Sequence, residues 1–188
     1  MAFHEGRHKE QGKERHPMGA KGNLPTAYMD TSLLVALHYK GGSSNAIKQA
    51  LATRDWWKNE RRNFRIYTSA VTEDELLAGV YQAQVPAVAT ARRLVYLPLT
   101  RAVHELAADY ISARLVPASQ EMDTFHLAVS TVHRVDYLLS WNQAHLANPQ
   151  VQRRLQEIND RLGLRTPWLV TPDSIPKVRL GQTVARKD

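Results

Sequence analysis

The sequence predicts an α/β domain built on a mainly parallel sheet. Short apolar runs with the length of strands alternate along the chain with longer segments whose apolar residues recur at helical spacing. Such alternation is typical of strands joined by helical crossovers, which make neighbouring strands parallel. The 188 residues suit one domain of about 150 residues with loose ends. We therefore expect the domain to cover residues 23–175.

The first element ends in a carboxylate. Residues 24–29 predict a strand that reaches Asp30, and residues 31–39 predict the helix that follows. In an open α/β sheet, ligands gather at the carboxyl ends of the strands. The alternative is that Asp30 only caps the helix by accepting its free N–H groups.

A second helix is predicted to start at its N-cap, Ser44, and a short strand follows over residues 64–68. The end of this helix carries two tryptophans, Trp56 and Trp57. The basic residues around them are Arg54, Lys58, Arg61, Arg62 and Arg65. Aromatic rings beside guanidinium groups can stack bases and hold phosphates, although tryptophans at a helix end also serve as packing residues.

Residues 69–80 predict a third helix with Leu76, Leu77 and Val80 on its core face. Its first turns carry three acids, which are Glu73, Asp74 and Glu75. The helix dipole alone favours acids there. Helical periodicity turns Glu73 towards the core face better than Glu75.

The remaining predicted elements continue the alternation. They are a small helix after Pro86, a strand over residues 94–97, a helix over 101–114, a helix opened by Asp123, a strand over 137–140, a helix over 149–162 and a strand over 168–170. The helix at Asp123 is apolar on several sides, as expected of a helix packed on a sheet. The strand over 137–140 leads directly to Asn142.

Composition excludes several classes of site. The chain has no cysteine, which rules out disulfides, thiolate zinc sites and cysteine nucleophiles, and 43% of its residues are hydrophobic, enough for a sizeable core. No apolar run approaches the roughly 20 residues that span a bilayer. The first residues carry charges where a signal peptide is apolar. We expect a soluble, cytoplasmic protein without a membrane partner.

The net charge of +7 suggests a nucleic-acid partner, but much of it lies at the two ends of the chain. Residues 1–22 carry five basic and three acidic side chains, and residues 177–188 carry four and one. The first segment is polar and is expected to be a disordered extension. Residues 176–188 are expected to form a basic tail.

The positions of the acids suggest a chemical function. Asp30, one acid of residues 73–75, Asp123 and Asn142 all fall at strand ends or helix starts, so we expect them on one edge of a parallel sheet. Clustered carboxylates are stable when protonated or when they bridge a cation. Oxygen ligands favour Mg²⁺ or Mn²⁺, which can activate water beside a phosphate. The pattern predicts metal-dependent phosphodiester hydrolysis.

Four short motifs, in this order, resemble the acidic motifs of PIN-domain ribonucleases, especially toxins of the VapC type. They are Tyr28 to Ser32, Ser69 to Gly79 with Glu75, Asp123 to Ala128, and Leu139 to Asn142. The resemblance covers residues 24–173. It implies a three-layer α/β/α domain, Mg²⁺- or Mn²⁺-dependent cleavage of RNA, a homodimer, and inhibition by a cognate antitoxin protein.

The resemblance also implies roles for individual residues. Asp30, Glu75 and Asp123 are implied as metal-binding and catalytic carboxylates. Asn142 is implied as a further catalytic-site residue, standing where many members have a fourth acid. The residues expected to hydrogen-bond the carboxylates are Thr31, Ser32 and Ser140. The basic groups expected to hold RNA are Arg54, Lys58, Arg61, Arg62 and Arg65, with Lys177, Arg179, Arg186 and Lys187 as a second source.

Three other interpretations stay open. A phosphoaspartyl hydrolase usually has a second Asp two residues after the first, and Ser32 stands there instead. A non-catalytic PIN-like module that binds RNA or a partner is compatible with Asn142 in place of an acid. His126 and His133 are interpreted as structural or surface residues, because a zinc pair usually has a spacing of three or four.

The early helices are expected to carry the dimer's apolar patch, with Leu33, Leu37, Ile47 and Leu51.

Overall fold

A computed structural model describes residues 24–80 and 82–177. Within them, five strands form one sheet in the order β3-β2-β1-β4-β5, and every neighbouring pair is parallel. The strands are β1 Thr26–Met29, β2 Arg65–Thr68, β3 Val95–Tyr96, β4 Tyr137–Leu139 and β5 Trp168–Val170. The predicted α/β class with a parallel sheet is confirmed. The expected disorder of residues 1–22 and most of the basic tail lie outside the described residues.

The described part of the chain contains seven α-helices, all between successive strands. They are α1 Thr31–His38, α2 Ser44–Asn59, α3 Ala70–Ala78, α4 Gln84–Ala91, α5 Arg101–Ser112, α6 Glu121–Val132 and α7 Pro149–Leu162. Two short 3-10 helices, Arg61–Asn63 and Ala118–Gln120, precede β2 and α6. The predicted elements occur in the predicted order. None of the helices described is both long and apolar enough to cross a bilayer.

The sheet separates two apolar cores, because successive strand residues point to opposite faces. Tyr28 and Leu138 belong to the core formed with α5, α6 and α7, and both side chains are fully buried. Met29 and Leu139 belong to the core formed with α1 to α4. The chain is therefore a three-layer α/β/α structure.

The central strands end together. Met29 of β1 pairs with Leu139 of β4, and the N–H of Asp30 donates to the carbonyl of Leu139 at 3.3 Å. The residues that follow these two strands, Asp30 and Ser140, are consequently neighbours at the carboxyl edge of the sheet. This edge is called the carboxylate edge below.

The predicted core face of the third helix was wrong in part. Leu76 is fully buried, but Leu77 is 53% exposed and Val80 is 98% exposed. The helix ends at Ala78, so Val80 lies beyond it and does not share its periodicity. The buried face is formed instead by Val71, Thr72 and Leu76.

The predicted starts of α2, α4 and α6 were also shifted, and α6 begins at Glu121 rather than at Asp123. The N-cap of α2 is Ser43 rather than Ser44, and its hydroxyl accepts from the N–H of Ala46 at 3.3 Å. Helix α4 begins at Gln84, before Pro86, because proline is tolerated in the first turn, where backbone N–H groups have no helical partner.

Candidate functional site

Asp30 is the buried centre of the carboxylate edge, with 3% of its surface exposed. The hydroxyl of Ser140 donates to its Oδ2 at 2.6 Å, and the hydroxyl of Ser32 donates to its Oδ1 at 2.6 Å. The N–H of Leu33 also donates to Oδ1, at 3.2 Å, so Asp30 caps α1 as well. Capping and a place in the site are therefore compatible for this residue.

Burial raises the pKa of Asp30, although the charge of His126 and the hydrogen bonds from Ser140 and Ser32 oppose that effect. The carboxylate thus has its donors in place but lacks the solvation that an exposed carboxylate has. A positive charge nearby would favour its ionised form.

The two serines also position the chain after β4. The N–H of Trp141 donates to the Ser32 hydroxyl at 2.8 Å, and the N–H of Asn142 donates to the Ser140 hydroxyl at 2.9 Å. The indole of Trp141 donates to the hydroxyl of Thr53, in α2, at 2.7 Å. These bonds hold Asn142 at the carboxylate edge.

Glu75 faces this edge, and Glu73 does not. The hydroxyl of Thr31 donates to Oε2 of Glu75, and Nε2 of His126 lies 3.0 Å from the same oxygen. Glu73 instead accepts from Arg92 at 2.6 Å and from Tyr96 at 2.7 Å. The motif therefore selected the acid that faces the site, and helical periodicity, which relied on Leu77 and Val80, selected the wrong one.

His126 connects Glu75 to the central strand. Its ring is 1% exposed, and Nδ1 lies 2.8 Å from the hydroxyl of Tyr28, which also contacts the hydroxyls of Ser69 and Thr72 at 2.7 and 3.1 Å. Of the two placements predicted for this histidine, structural or surface, the structure shows the structural one. Its position three residues after Asp123, on the same helix face, was the available sequence signal.

Charge explains the ionisation of the His126–Glu75 pair. Burial acts to lower the pKa of His126, but Tyr28, Glu75 and Asp30 together raise it well above its ordinary value. Burial acts to raise the pKa of Glu75, yet the hydrogen bond and charge of His126 and the bond from Thr31 lower it overall. The pair is consequently an ion pair at neutral pH.

Asp123, on the first turns of α6, is 7% exposed. The side-chain amide of Asn142 donates to its Oδ2 at 3.0 Å, while the Asn142 carbonyl oxygen accepts from the N–H of His145 at 3.1 Å. Burial, and then repulsion from Asp30 and Glu75, raise the pKa of Asp123 to about 6 against the opposing charges of His126 and His145. Burial and the neighbouring carboxylates thus disfavour the ionised form of Asp123.

One depression of about 680 Å³ contains these groups. The sequence-predicted residues that line it are Asp30, Thr31, Ser32, Glu75, Asp123 and Asn142. His126 and Trp141 line it too, and Ser140 lies fully buried behind Asp30. Tertiary structure thus brings together all four residues predicted for the catalytic site.

The donor set fits Mg²⁺ or Mn²⁺ in its chemistry, because it consists of carboxylate oxygens and two of the three acids have a raised pKa. Within residues 24–80 and 82–177, no three His, Asp or Glu side chains are yet arranged to hold a metal ion. Oε2 of Glu75 is engaged by Thr31 and His126.

Arg61, Arg62 and Arg65 of the predicted basic cluster are not at this edge, whereas Arg54 bonds to Tyr39, which lines the depression. Arg65 pairs with Thr26, the first residue of β1, and Arg61 and Arg62 immediately precede β2. These arginines belong to the amino-terminal edge of the sheet, roughly 13 Å from the carboxylate edge along a four-residue strand. A role in RNA binding stays a prediction for them.

Arg54 and Arg61 also have structural contacts. Nε of Arg54 donates to the carbonyl of Leu37 at 3.1 Å, and its Nη2 donates to the carbonyl of Tyr39, so Arg54 satisfies groups at the end of α1. The guanidinium of Arg61 lies over the Trp57 ring, 4.3 Å from its centroid. Trp56 is a core residue, 2% exposed.

The sequence matches no protein-family model and no curated protein. The resemblance of the four motifs to PIN-domain ribonucleases therefore stays a prediction, and the function has to be argued from the site.

Proposed function

We propose that the protein is a metal-dependent endoribonuclease that hydrolyses phosphodiester bonds of RNA at the carboxylate edge. One observation carries the proposal. Asp30, Glu75 and Asp123 come from three separate segments of the chain, yet they line one depression in which burial and mutual repulsion raise the pKa of Asp123 to about 6. Such a concentration of carboxylates is expected where a divalent cation binds.

Asp30, Glu75 and Asp123 are the residues that would hold Mg²⁺ or Mn²⁺. The ion, when bound, supplies a more acidic water and neutralises charge on the scissile phosphate. Ser32 and Ser140 keep the carboxylate of Asp30 oriented through their 2.6 Å hydrogen bonds. These fixed donors limit the reorganisation that metal and substrate binding require.

His126 and Asn142 orient the other two acids. His126 contacts Glu75 at 3.0 Å, and the amide of Asn142 donates to Asp123 at 3.0 Å. Asn142 adds no charge, so the site carries three carboxylates rather than four. We therefore propose one tightly bound metal ion rather than two.

RNA as the substrate is supported by the four acidic motifs and their order. Cleavage of a labelled single-stranded RNA in Mn²⁺ or Mg²⁺ tests it, with EDTA and the variant Asp30→Asn as negative controls. We expect cleavage in the metal-containing wild type alone. Cleavage that persists in EDTA or in Asp30→Asn would contradict the proposal.

A second candidate function is a non-catalytic module that binds RNA or a partner protein. Its support is that the Asn142 amide occupies an oxygen of Asp123 and that the described acids are not yet arranged as a metal site. RNA binding without cleavage in either metal would favour this candidate.

The resemblance further supports a toxin that acts in the cytoplasm as a homodimer and is inhibited by a cognate antitoxin. Growth arrest on expression of the wild type, absent on expression of Asp30→Asn, tests the toxin role. Relief of that arrest by the product of a neighbouring small gene tests the antitoxin.

A further inference from the structure

A second cavity lies directly beside the depression, across the first turn of α6. Gln120 and Asp123 line the depression, whereas Glu121 and Thr124 line the cavity, which measures about 460 Å³. Ligand sites commonly have volumes of about 300–1,000 Å³. The cavity is thus large enough to hold part of a ligand that extends from the carboxylate edge.

The cavity has an apolar wall and two cations. Ile111, Leu115 and Val116 form the wall, and Leu115 and Val116 are themselves buried. Arg114 and Arg154 supply the positive charge, against the single acid Glu121. The guanidinium of Arg154 donates one hydrogen bond to the carbonyl of Ala113 at 3.0 Å, which orients it with most of its five donors left over.

Arg114 adopts a backbone conformation that suits glycine better. Helices α5, α6 and α7 all end with a left-handed residue, which is Arg114 at φ 50°, Arg134 at φ 53° and Gly163 at φ 68° respectively. In each helix the following N–H donates back to a carbonyl of the last turn, at 2.8 to 3.0 Å.

A left-handed residue with a Cβ is strained, and α7 shows that glycine serves the same turn here. The backbone of this turn therefore gives no reason for an arginine at position 114. Arg134 has the same backbone conformation, so what distinguishes Arg114 is its side chain, which lines a cavity next to the carboxylate edge.

We propose that this cavity binds the nucleotide adjacent to the scissile phosphate of an RNA chain. Arg114 and Arg154 hold a phosphate of that nucleotide, since guanidinium groups match phosphate oxygens in geometry and charge. The apolar wall takes the base. The inference rests on the proposed function, and it assigns the RNA path to this side of α6 rather than to Arg61 and Arg62.

A nucleotide fits these observations better than an acidic peptide does. It combines one anionic group with one flat, weakly polar surface, as the cavity combines two arginines with an apolar wall. An acidic peptide supplies carboxylates for the arginines but no flat, weakly polar surface for the apolar wall.

The test compares Arg114→Gly with its matched control, Arg134→Gly. Both replace an exposed arginine in the same left-handed turn, but Arg134 follows the opposite end of α6. Binding of labelled single-stranded RNA is titrated at several salt concentrations, in an Asp30→Asn background with Mg²⁺. Thermal unfolding is measured on the same proteins.

We expect both glycine variants to unfold at the same or a higher temperature than their background, because strain is relieved. Arg114→Gly alone should weaken RNA binding, on the order of tenfold for a lost charge-assisted contact. It should also reduce the salt slope by about 0.7. Arg154→Ala should act in the same direction.

If Arg114→Gly and Arg134→Gly weaken RNA binding equally, the effect comes from the change in net charge, and the inference is overturned. If the salt slope of RNA binding is reduced only in Arg61→Ala/Arg62→Ala, RNA lies at the other edge of the sheet, and the inference is overturned as well. Binding of a labelled oligoglutamate peptide that is lost in Arg114→Gly, with RNA binding intact, would assign the cavity to an acidic partner.

The two proposals fail differently. Wild type that neither binds nor cuts RNA removes the proposed function together with this inference. Metal-dependent RNA cleavage by the wild type, with unchanged RNA binding by Arg114→Gly, removes the cavity alone.

Discussion

Nε2 of His126 lies 3.0 Å from Oε2 of Glu75, and this contact joins α6 to α3 at the carboxylate edge. The other ring nitrogen lies 2.8 Å from the hydroxyl of Tyr28. His126 is nearly inaccessible, and the side chain of Glu75 is 26% exposed. A buried cation is thus placed behind one of the three acids of the site, where it fixes the direction of that acid.

Removing the histidine should destabilise the fold. His126→Ala removes one buried hydrogen-bond partner from the hydroxyl of Tyr28 and one from the carboxylate of Glu75. We expect a loss of about 1–3 kcal/mol in the free energy of unfolding. A double-mutant cycle with Glu75→Gln, measured by urea unfolding, should give a coupling of about 0.5–3 kcal/mol. Strictly additive effects would contradict the pairing.

The coupling should depend on pH with a defined sign. The raised pKa of His126 gives stability that is complete below its ordinary value of 6.5 and is lost as pH rises through the folded value. The lowered pKa of Glu75 gives stability that is complete above 4.5 and is lost as pH falls through the folded value. The coupling should be full between these two values and decline on the alkaline side.

Asp123→Asn should stabilise the metal-free protein. Because folding raises the pKa of Asp123 from 3.8 to about 6, this residue makes the folded state less stable as pH rises through that interval, and its destabilising effect is complete above it. The gain from Asp123→Asn, measured by unfolding in EDTA, should grow across the same interval and then level off. A gain that is equal at pH 3.5 and pH 7 would contradict the assignment.

The same variant should weaken Mn²⁺ binding, because it removes one of the three carboxylates. Calorimetric titration of wild type and Asp123→Asn at neutral pH measures this. Identical affinities would remove Asp123 from the metal site.

Glu75→Gln should lower RNA cleavage at least about tenfold, or about 1.4 kcal/mol of barrier, whereas Glu73→Gln should change it little. The reason is that Glu73 is engaged by Arg92 and Tyr96 outside the depression. Single-turnover cleavage rates of the two variants make the comparison. The reverse ranking would show that the site is organised around Glu73.

The predicted homodimer depends on the exposed side of α2. Ile47 is 43% exposed and Leu51 is 58% exposed, while Leu33 is fully buried in the core and so was wrongly included in the apolar patch. We expect Leu51→Lys to convert a dimer into a monomer in light scattering at tens of micromolar protein. Lys48→Ala, an exposed change on the same helix, is the control.

The order and type of the elements could be predicted from the sequence, because the apolar periodicity of each strand or helix depends on residues that are close together in the chain. The bounds of β5 and α7, for example, agree with prediction. The sequence also predicted that Asp30 and Asp123 lie at the same edge of the sheet, because Asp30 follows a strand and Asp123 is near the start of a helix.

Which side chains meet at the carboxylate edge depends on how distant segments of the chain pack together. From the sequence, helical periodicity favoured Glu73 and the motif favoured Glu75. The structure places Glu75 in the depression, because α3 ends at Ala78 and Leu77 and Val80 do not belong to its buried face. His126 enters the site through contacts with Tyr28 and Glu75, 98 and 51 residues away. Arg61, Arg62 and Arg65 lie at the opposite edge because strand direction separates the two ends of β2. Sequence patterns report local periodicity, whereas these relationships arise from packing between distant segments.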